Sequence, residues 1–216
     1  PMSFTITIDK RNKKCLGVHV LREGAHRAGR GLMLEFLWNL DGNILLFLQE
    51  YVRNPVLTPV MKVITTLGNG GAIWIALTIL LLAIPKTRKI GCMSLIALLG
   101  TLLVNNMLLK NLVARTRPYE VIEGLTYIVR KPSDYSFPSG HAGCSFSTAC
   151  IMYRRLPRRY GVPALILAIL ISVSRLYVGV HYPSDVLFGV ISGIAISYAA
   201  EVIGGRIWKA EPQGDT

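Results

Sequence analysis

Two long apolar runs dominate the middle of the chain. Residues 63–85 hold 23 positions without a charge, broken by Gly68-Asn69-Gly70-Gly71, and residues 90–109 hold 20 more. A helix of about 20 apolar residues spans about 30 Å, the thickness of a bilayer's hydrocarbon core. Three further helices are predicted over about 140–155, 161–180 and 183–205, with shorter uncharged cores at 142–153, 160–174 and 186–200. Residues 34–67 are less uniform, because Glu35, Asp41, Glu50 and Lys62 interrupt them. Asp41 can N-cap a helix carrying Ile44, Leu45, Phe47, Leu48 and Val52, which Asn54-Pro55 should end. A second stretch carries Val56, Val60, Val63, Ile64 and Leu67. Interfacial or half-inserted helices fit this region as well as a full span does. The pattern predicts an all-α membrane bundle of five to six transmembrane helices, with amphipathic helices near the N-terminus.

Composition agrees. Of 216 residues, 51% are hydrophobic and only 17% charged, with mean hydropathy +0.44. Soluble domains carry about 25% charged residues. Lys and Arg number 24 against 12 Asp and Glu, a net charge of +12. Nucleic acid, a membrane surface or an anionic substrate could each explain such an excess. The basic residues flank apolar runs and form no aromatic-interleaved patch, which disfavours nucleic acid. Cys15, Cys92, Cys144 and Cys150 show neither CxxC nor zinc-ligand spacing, and three of them lie in apolar stretches.

Residues 1–32 are polar and basic, with Lys10, Arg11, Lys13, Lys14, Arg22, Arg27 and Arg30 against Asp9 and Glu23. They lack the early apolar segment of a secretory signal. A flexible cytosolic tail or a non-native extension is expected, or else a polybasic segment that touches anionic lipid. Met33 opens a segment of different character and is a candidate original start. The division is therefore tail 1–32, membrane domain 33–209 and a short C-terminal tail 210–216.

The loops orient the bundle. Lys86, Arg88 and Lys89 lie in one turn, Arg154, Arg155, Arg158 and Arg159 in another, and Arg206 and Lys209 after the last run. An alternating path puts all of them on one side, which the positive-inside rule makes cytoplasmic. The loop near 115–138 and the turn near 180–184 then face the other way.

Three clusters fall on that opposite side: Lys110 with Arg117-Pro118; Pro138-Ser139-Gly140-His141; and Ser174-Arg175 with His181 and Asp185. Charges near membrane depth are costly without partners or a task. Lys110, Arg117 and Arg175 supply three cations suited to a phosphate and to the charge of its transition state. Ser139-Gly140 opens a helix whose first N–H groups can bind an anion. Asp185 can orient His181, whose free nitrogen can attack phosphorus while His141 protonates the leaving oxygen. The carboxylates on this side are Asp185, with Glu120, Glu123 and Asp134 scattered in the loop. A two-metal site needs clustered carboxylates, so metal-independent chemistry is expected, with no cofactor. Each residue alone has an ordinary explanation; Lys110, for example, could be a snorkelling helix end. Their joint order and spacing is the specific signal.

These clusters resemble the complete signature of the type 2 phosphatidic acid phosphatase family, whose superfamily includes vanadium haloperoxidases and glucose-6-phosphatase. The resemblance covers about residues 40–205. It implies an all-helical membrane bundle and a phosphohistidine intermediate. It implies His181 as nucleophile, Asp185 as its orienting partner and His141 as general acid. It implies Lys110, Arg117, Ser139, Gly140 and Arg175 as phosphate ligands. The compact size and the run His181-Tyr182-Pro183-Ser184-Asp185 are similar to bacterial undecaprenyl pyrophosphate phosphatases of the bacitracin-resistance type.

The leading expectation is an integral membrane lipid phosphatase of a bacterial plasma membrane, working on the non-cytoplasmic face. Undecaprenyl pyrophosphate, cleaved to the monophosphate, is the leading substrate. Phosphatidate and phosphatidylglycerophosphate are the alternatives. A protein that binds or moves phosphorylated lipid without hydrolysis is a remote alternative, since both histidines are present.

Overall fold

The computed structural model describes residues 3–9, 14–21 and 30–209. The C-terminal tail expected over 210–216 lies outside them, as do residues 1–2, 10–13 and 22–29 of the N-terminal one. Within that N-terminal segment, β1 (Ser3–Asp9) and β2 (Lys14–Leu21) form an antiparallel hairpin, with Ser3 opposite Leu21 and Asp9 opposite Lys14. This departs from a purely helical chain. The cause is written in the alternation Phe4, Ile6, Ile8 with Thr5 and Thr7 between, which is a strand period.

The rest is helical. α1 (Arg30–Phe47) continues through a π-helical turn, Leu48–Val52. Asp41 therefore sits inside α1 and does not cap that helix, contrary to expectation. Asn54 Oδ1 accepts the N–H groups of Val56 and Leu57 at 3.0 and 2.8 Å in the turn that leads into α2 (Leu57–Leu67). The glycine-rich break follows, with Gly70 and Gly71 at φ 59° and 73°, a backbone open to glycine at little cost. Then comes α3 (Ala72–Ala83), bent 47° from α2. α4 (Arg88–Thr101) runs on as a π-helical segment, Leu102–Leu109, and as α5 (Lys110–Val113). After α6 (Pro118–Val121) come α7 (Gly140–Arg155), α8 (Arg158–Tyr177) and α9 (Pro183–Lys209). Among the described residues, three helical stretches are long and apolar enough to cross a membrane: 85–121, 158–177 and 183–207. Counting the bent α2–α3 pair as one span makes four.

α7 is the centre of the bundle, packed against α4, α8 and α9. Its contact with α9 is close enough that a Cβ on Gly193 would lie 2.7 Å from the Gly143 carbonyl oxygen, the small-residue packing common between membrane helices. A buried apolar cluster joins α3, α7 and α8 through Trp74, Leu81, Ala149, Met152, Ala168 and Ile171. The Trp74 indole N–H donates to Ser145 Oγ at 2.9 Å, so this buried polar atom is satisfied.

The three basic turns share one end of the bundle. Glu201 on α9 accepts from Arg154 Nε at 3.0 Å and Arg155 Nε at 2.8 Å. Gly204 lies against Met93, one turn along α4 from Lys89. The signature residues gather at the opposite end.

Candidate active site

The site forms where the N-termini of α7 and α9 meet. Ser139 N–H donates to the Asp185 carbonyl at 3.1 Å and ties the two helix starts together. Ser139 Oγ caps α7 by accepting from Ala142 N–H at 3.5 Å. Gly140 and His141 are thus the first residues of α7, and both line a cavity of about 970 Å³. Gly140 has a steric reason: a Cβ there would lie 2.7 Å from Asn106 Oδ1 on the π-helical segment.

Lys110, Arg117, Arg175 and His181 line the same cavity. All four are buried. Arg117 Nη1 donates to the Val180 carbonyl at 2.7 Å and lies 3.5 Å from His181 Nε2. Its Nε donates to the Asp134 carbonyl at 2.8 Å. Arg175 Nη1 donates to Thr65 Oγ1 on α2 at 2.7 Å, while its buried Nε has no partner. His141 Nε2 sits 3.1 Å from Asn69 Oδ1, inside the glycine-rich break. That break is a wall of the site as well as an interruption of a span. All three predicted clusters therefore come together. Ser139 and Asp185 stand behind the cavity wall.

Asp185 is fully buried, and its Oδ2 lies 3.6 Å from His181 Nδ1, an ion-pair distance beyond hydrogen-bond reach. Oδ2 instead accepts from Ser136 Oγ and from Tyr182 N–H, the latter at 3.0 Å. Burial pulls the His181 imidazole down; Asp185 opposes this and the Arg175 and Arg117 charges add to it, leaving it at about 4. It is neutral at neutral pH, with Nε2 toward the cavity beside Arg117.

Residues that the sequence did not single out join the site. Asp134 bridges two of the cations, accepting from Lys110 Nζ and from Arg117 Nη2, the latter at 2.6 Å. Burial raises its carboxyl, but the bonds and charges of Lys110 and Arg117 outweigh that and hold it at about 2. Arg115 donates from Nη1 to Asp185 Oδ1 at 2.6 Å and from Nη2 to Asp41 Oδ2 at 2.9 Å. The signal for Asp41 was a carboxylate inside an apolar stretch. Arg115 lies in a loop and carried no such mark. Among the described residues, no three His, Cys, Asp or Glu side chains converge as a metal site would need.

The cavity extends away from the cations between α3 and α4. Ile75, Ile79 and Leu82 line one side, and Leu95, Leu99 and Leu102 the other. Ile75, Ile79, Leu95, Leu99 and Leu102 are exposed on the helix surfaces.

A model of the PAP2 superfamily matches residues 90–208. An undecaprenyl-diphosphatase of Sulfolobus acidocaldarius is 34% identical over 161 residues, 74% of this chain and 77% of that protein. A lipid A 4'-phosphatase of Bacteroides thetaiotaomicron is 30% identical over 174 residues, 74% and 75% of the two chains. The crystal structure of a transmembrane PAP2 type phosphatidylglycerolphosphate phosphatase from Bacillus subtilis superposes with a TM-score of 0.67 at 25% identity. That superposition covers 85% of this chain and 92% of the other.

Proposed function

The chain belongs to the PAP2 superfamily and is a membrane lipid phosphatase, and from that premise we propose that it cleaves undecaprenyl diphosphate to undecaprenyl phosphate through a phosphohistidine. The observation that carries this reading is one continuous cavity, cationic at one end and apolar at the other. A phosphorylated headgroup fits among Lys110, Arg117 and Arg175, while its hydrocarbon tail lies along the α3–α4 groove in contact with lipid. The His181-Tyr182-Pro183-Ser184-Asp185 run and the undecaprenyl-diphosphatase relative support the polyprenyl substrate. Phosphatidylglycerophosphate or phosphatidate is the second reading, and the Bacillus subtilis phosphatidylglycerolphosphate phosphatase supports the first of these.

His181 Nε2 attacks phosphorus, and the P–O bond to the leaving phosphate breaks. His141 gives a proton to that leaving oxygen. Asp185 faces the imidazole that becomes cationic on phosphorylation. Water then attacks the phosphohistidine, with His141 taking its proton, and inorganic phosphate leaves. Lys110, Arg117 and Arg175, with the N–H groups at the start of α7, stabilise the charge on the transferring phosphoryl group. No step calls on a metal ion.

α7, α8, α9, the α4–α5 helix and the broken α2–α3 pair serve as five spans, and α1 is the candidate sixth. The basic end faces the cytoplasm, and the site opens on the outer face of a bacterial-type plasma membrane. The role is recycling of a lipid carrier in cell-envelope synthesis. The test is phosphate release by purified protein in detergent with EDTA, on undecaprenyl diphosphate, phosphatidate, phosphatidylglycerophosphate and a water-soluble ester. Strong preference for the polyprenyl substrate is expected. Equal rates on all lipid phosphates would replace it with a broad lipid phosphatase. Loss of activity in EDTA with rescue by magnesium would overturn the metal-free mechanism.

A further inference from the structure

Ala114 takes a left-handed conformation, φ 46°, which ends α5 and turns the chain back over the bundle. Arg115 follows, and its side chain enters the protein behind the cavity rather than lining it. Only 12% of that side chain is exposed. The guanidinium lies over the Tyr182 ring at 3.8 Å and near the Trp38 ring at 4.7 Å. Its fork reaches two carboxylates on different helices. Nη1 bonds Asp185 Oδ1 and also Ser184 Oγ at 2.7 Å, and Nη2 bonds Asp41. Asp41 in turn accepts from Ser184 N–H at 2.9 Å and from Ser184 Oγ. The Arg115 carbonyl accepts from Ser136 N–H at 2.8 Å, and Ser136 Oγ holds the other oxygen of Asp185.

We propose that Arg115, anchored by Asp41, is the positioning residue of the His181–Asp185 pair, fixing which carboxylate oxygen faces the imidazole and setting how strongly it polarises it. The proposal rests on His181 being the nucleophile. Two effects are separable. Orientation comes from the planar fork: with Oδ1 held by Arg115, Oδ2 is left toward His181 Nδ1. Charge comes from balance. An unopposed guanidinium would drain negative charge from Asp185 and disfavour a cationic imidazole, and the Asp41 carboxylate offsets it. The other charged or titratable groups facing the pair are Arg117 from the loop, Arg175 from α8, His141 from α7 and Tyr182.

The test is the pH profile of kcat/KM on undecaprenyl diphosphate in detergent for Arg115→Gln, Arg115→Lys and Asp41→Asn, with His181→Ala as control. Arg115→Gln is expected to lower kcat about a hundredfold, as a misplaced reacting group does, with KM within about threefold. Removing that cation favours protonated His181, so the acid limb moves up by about half a unit to one unit. Asp41→Asn removes an anion, and the limb moves down by a similar amount. Arg115→Lys keeps the charge without the fork, so it restores the limb but not kcat. A merely structural role would move neither limb. If Arg115→Gln does not fold, the direction of the Asp41→Asn shift decides. An unmoved limb in folded Asp41→Asn, or wild-type kcat in folded Arg115→Gln, overturns the proposal. Turnover by His181→Ala would overturn the nucleophile assignment instead, so the two failures are distinguishable.

Discussion

Replacing Asp134 with asparagine asks whether an internal carboxylate competes with the substrate's phosphate. Asp134 takes a bond from Lys110 and one from Arg117, the same cations that would hold the phosphoryl group. Its side chain is 52% exposed, whereas those of Lys110 and Arg117 are 8% and 4% exposed. A solvent-exposed ion pair contributes about 0.2–1 kcal/mol, so the two together hold Asp134 in place by roughly 0.5–2 kcal/mol. A phosphate must displace the carboxylate against that sum. Asp134→Asn should therefore tighten inhibition by inorganic phosphate by about tenfold, given about 1.4 kcal/mol per factor of ten. KM for the lipid should fall in the same direction. The carboxyl sits at about 2, below its ordinary value of 3.8. Its ion pairs thus contribute fully above the ordinary value and are lost only as pH falls through about 2. Across assays from pH 5 to 9 Asp134 stays ionised, so its contribution to the competition is constant and the difference between the two proteins should not vary with pH on this account. The assay is the phosphate inhibition constant at two pH values. A weaker inhibition constant with a raised KM would refute competition, because it would mean that Asp134 holds Lys110 and Arg117 in their binding geometry.

Other outcomes follow from single contacts. Glu201→Gln weakens two ion pairs at the end opposite the site, and since Arg154 and Arg155 are 25% and 50% exposed the loss is about 1–3 kcal/mol, below that of a fully buried pair. Thermal unfolding in detergent should drop by about 3–10 °C with turnover per folded molecule unchanged. The acid limb of wild-type kcat/KM should lie near pH 4, well below an ordinary histidine, because His181 is neutral down to about 4; a limb near 6.5 would contradict its burial. The same lowered value means the unfolded chain takes up the proton first, so His181 costs stability as pH falls from about 6.5 toward 4. Gly140→Ala brings a Cβ to 2.7 Å from Asn106 Oδ1, so the Asn106 side chain must swing aside, and kcat/KM should fall by up to about tenfold. Gly140→Ala with Asn106→Ala should recover part of it, measured by phosphate release.

Much of the site is legible in the sequence. Lys110, Arg117, His141, Arg175 and His181 stand at helix ends beside polar loops, and their order along the chain marks them. Arg115 and Asp134 do not announce themselves, because nothing local holds them. Arg115 acts through Asp41, 74 residues away, and through Asp185, 70 residues away. Asp134 is one of several loop carboxylates until the fold brings it to Lys110 and Arg117. Asp41 carried a signal, a charge in an apolar run, yet local capping and a distant guanidinium explain such a residue equally well from sequence.

The span count shows the same physics from the lipid side. Hydropathy measures the residues that face the bilayer, so it finds the helices on the rim. α7 touches α4, α8 and α9 and spends its surface on protein. Its buried residues include Ser145 and Ser147, which pair with Trp74 and with Thr101 and the Cys144 carbonyl. Small polar side chains let helices approach and satisfy each other where lipid cannot enter. The helix at the centre of the bundle is therefore the least apolar of those expected to span. It is also the one whose first turn lines the cationic cavity: a helix enclosed by others can hold Gly140 and His141 to close tolerance, as a lipid-washed one could not.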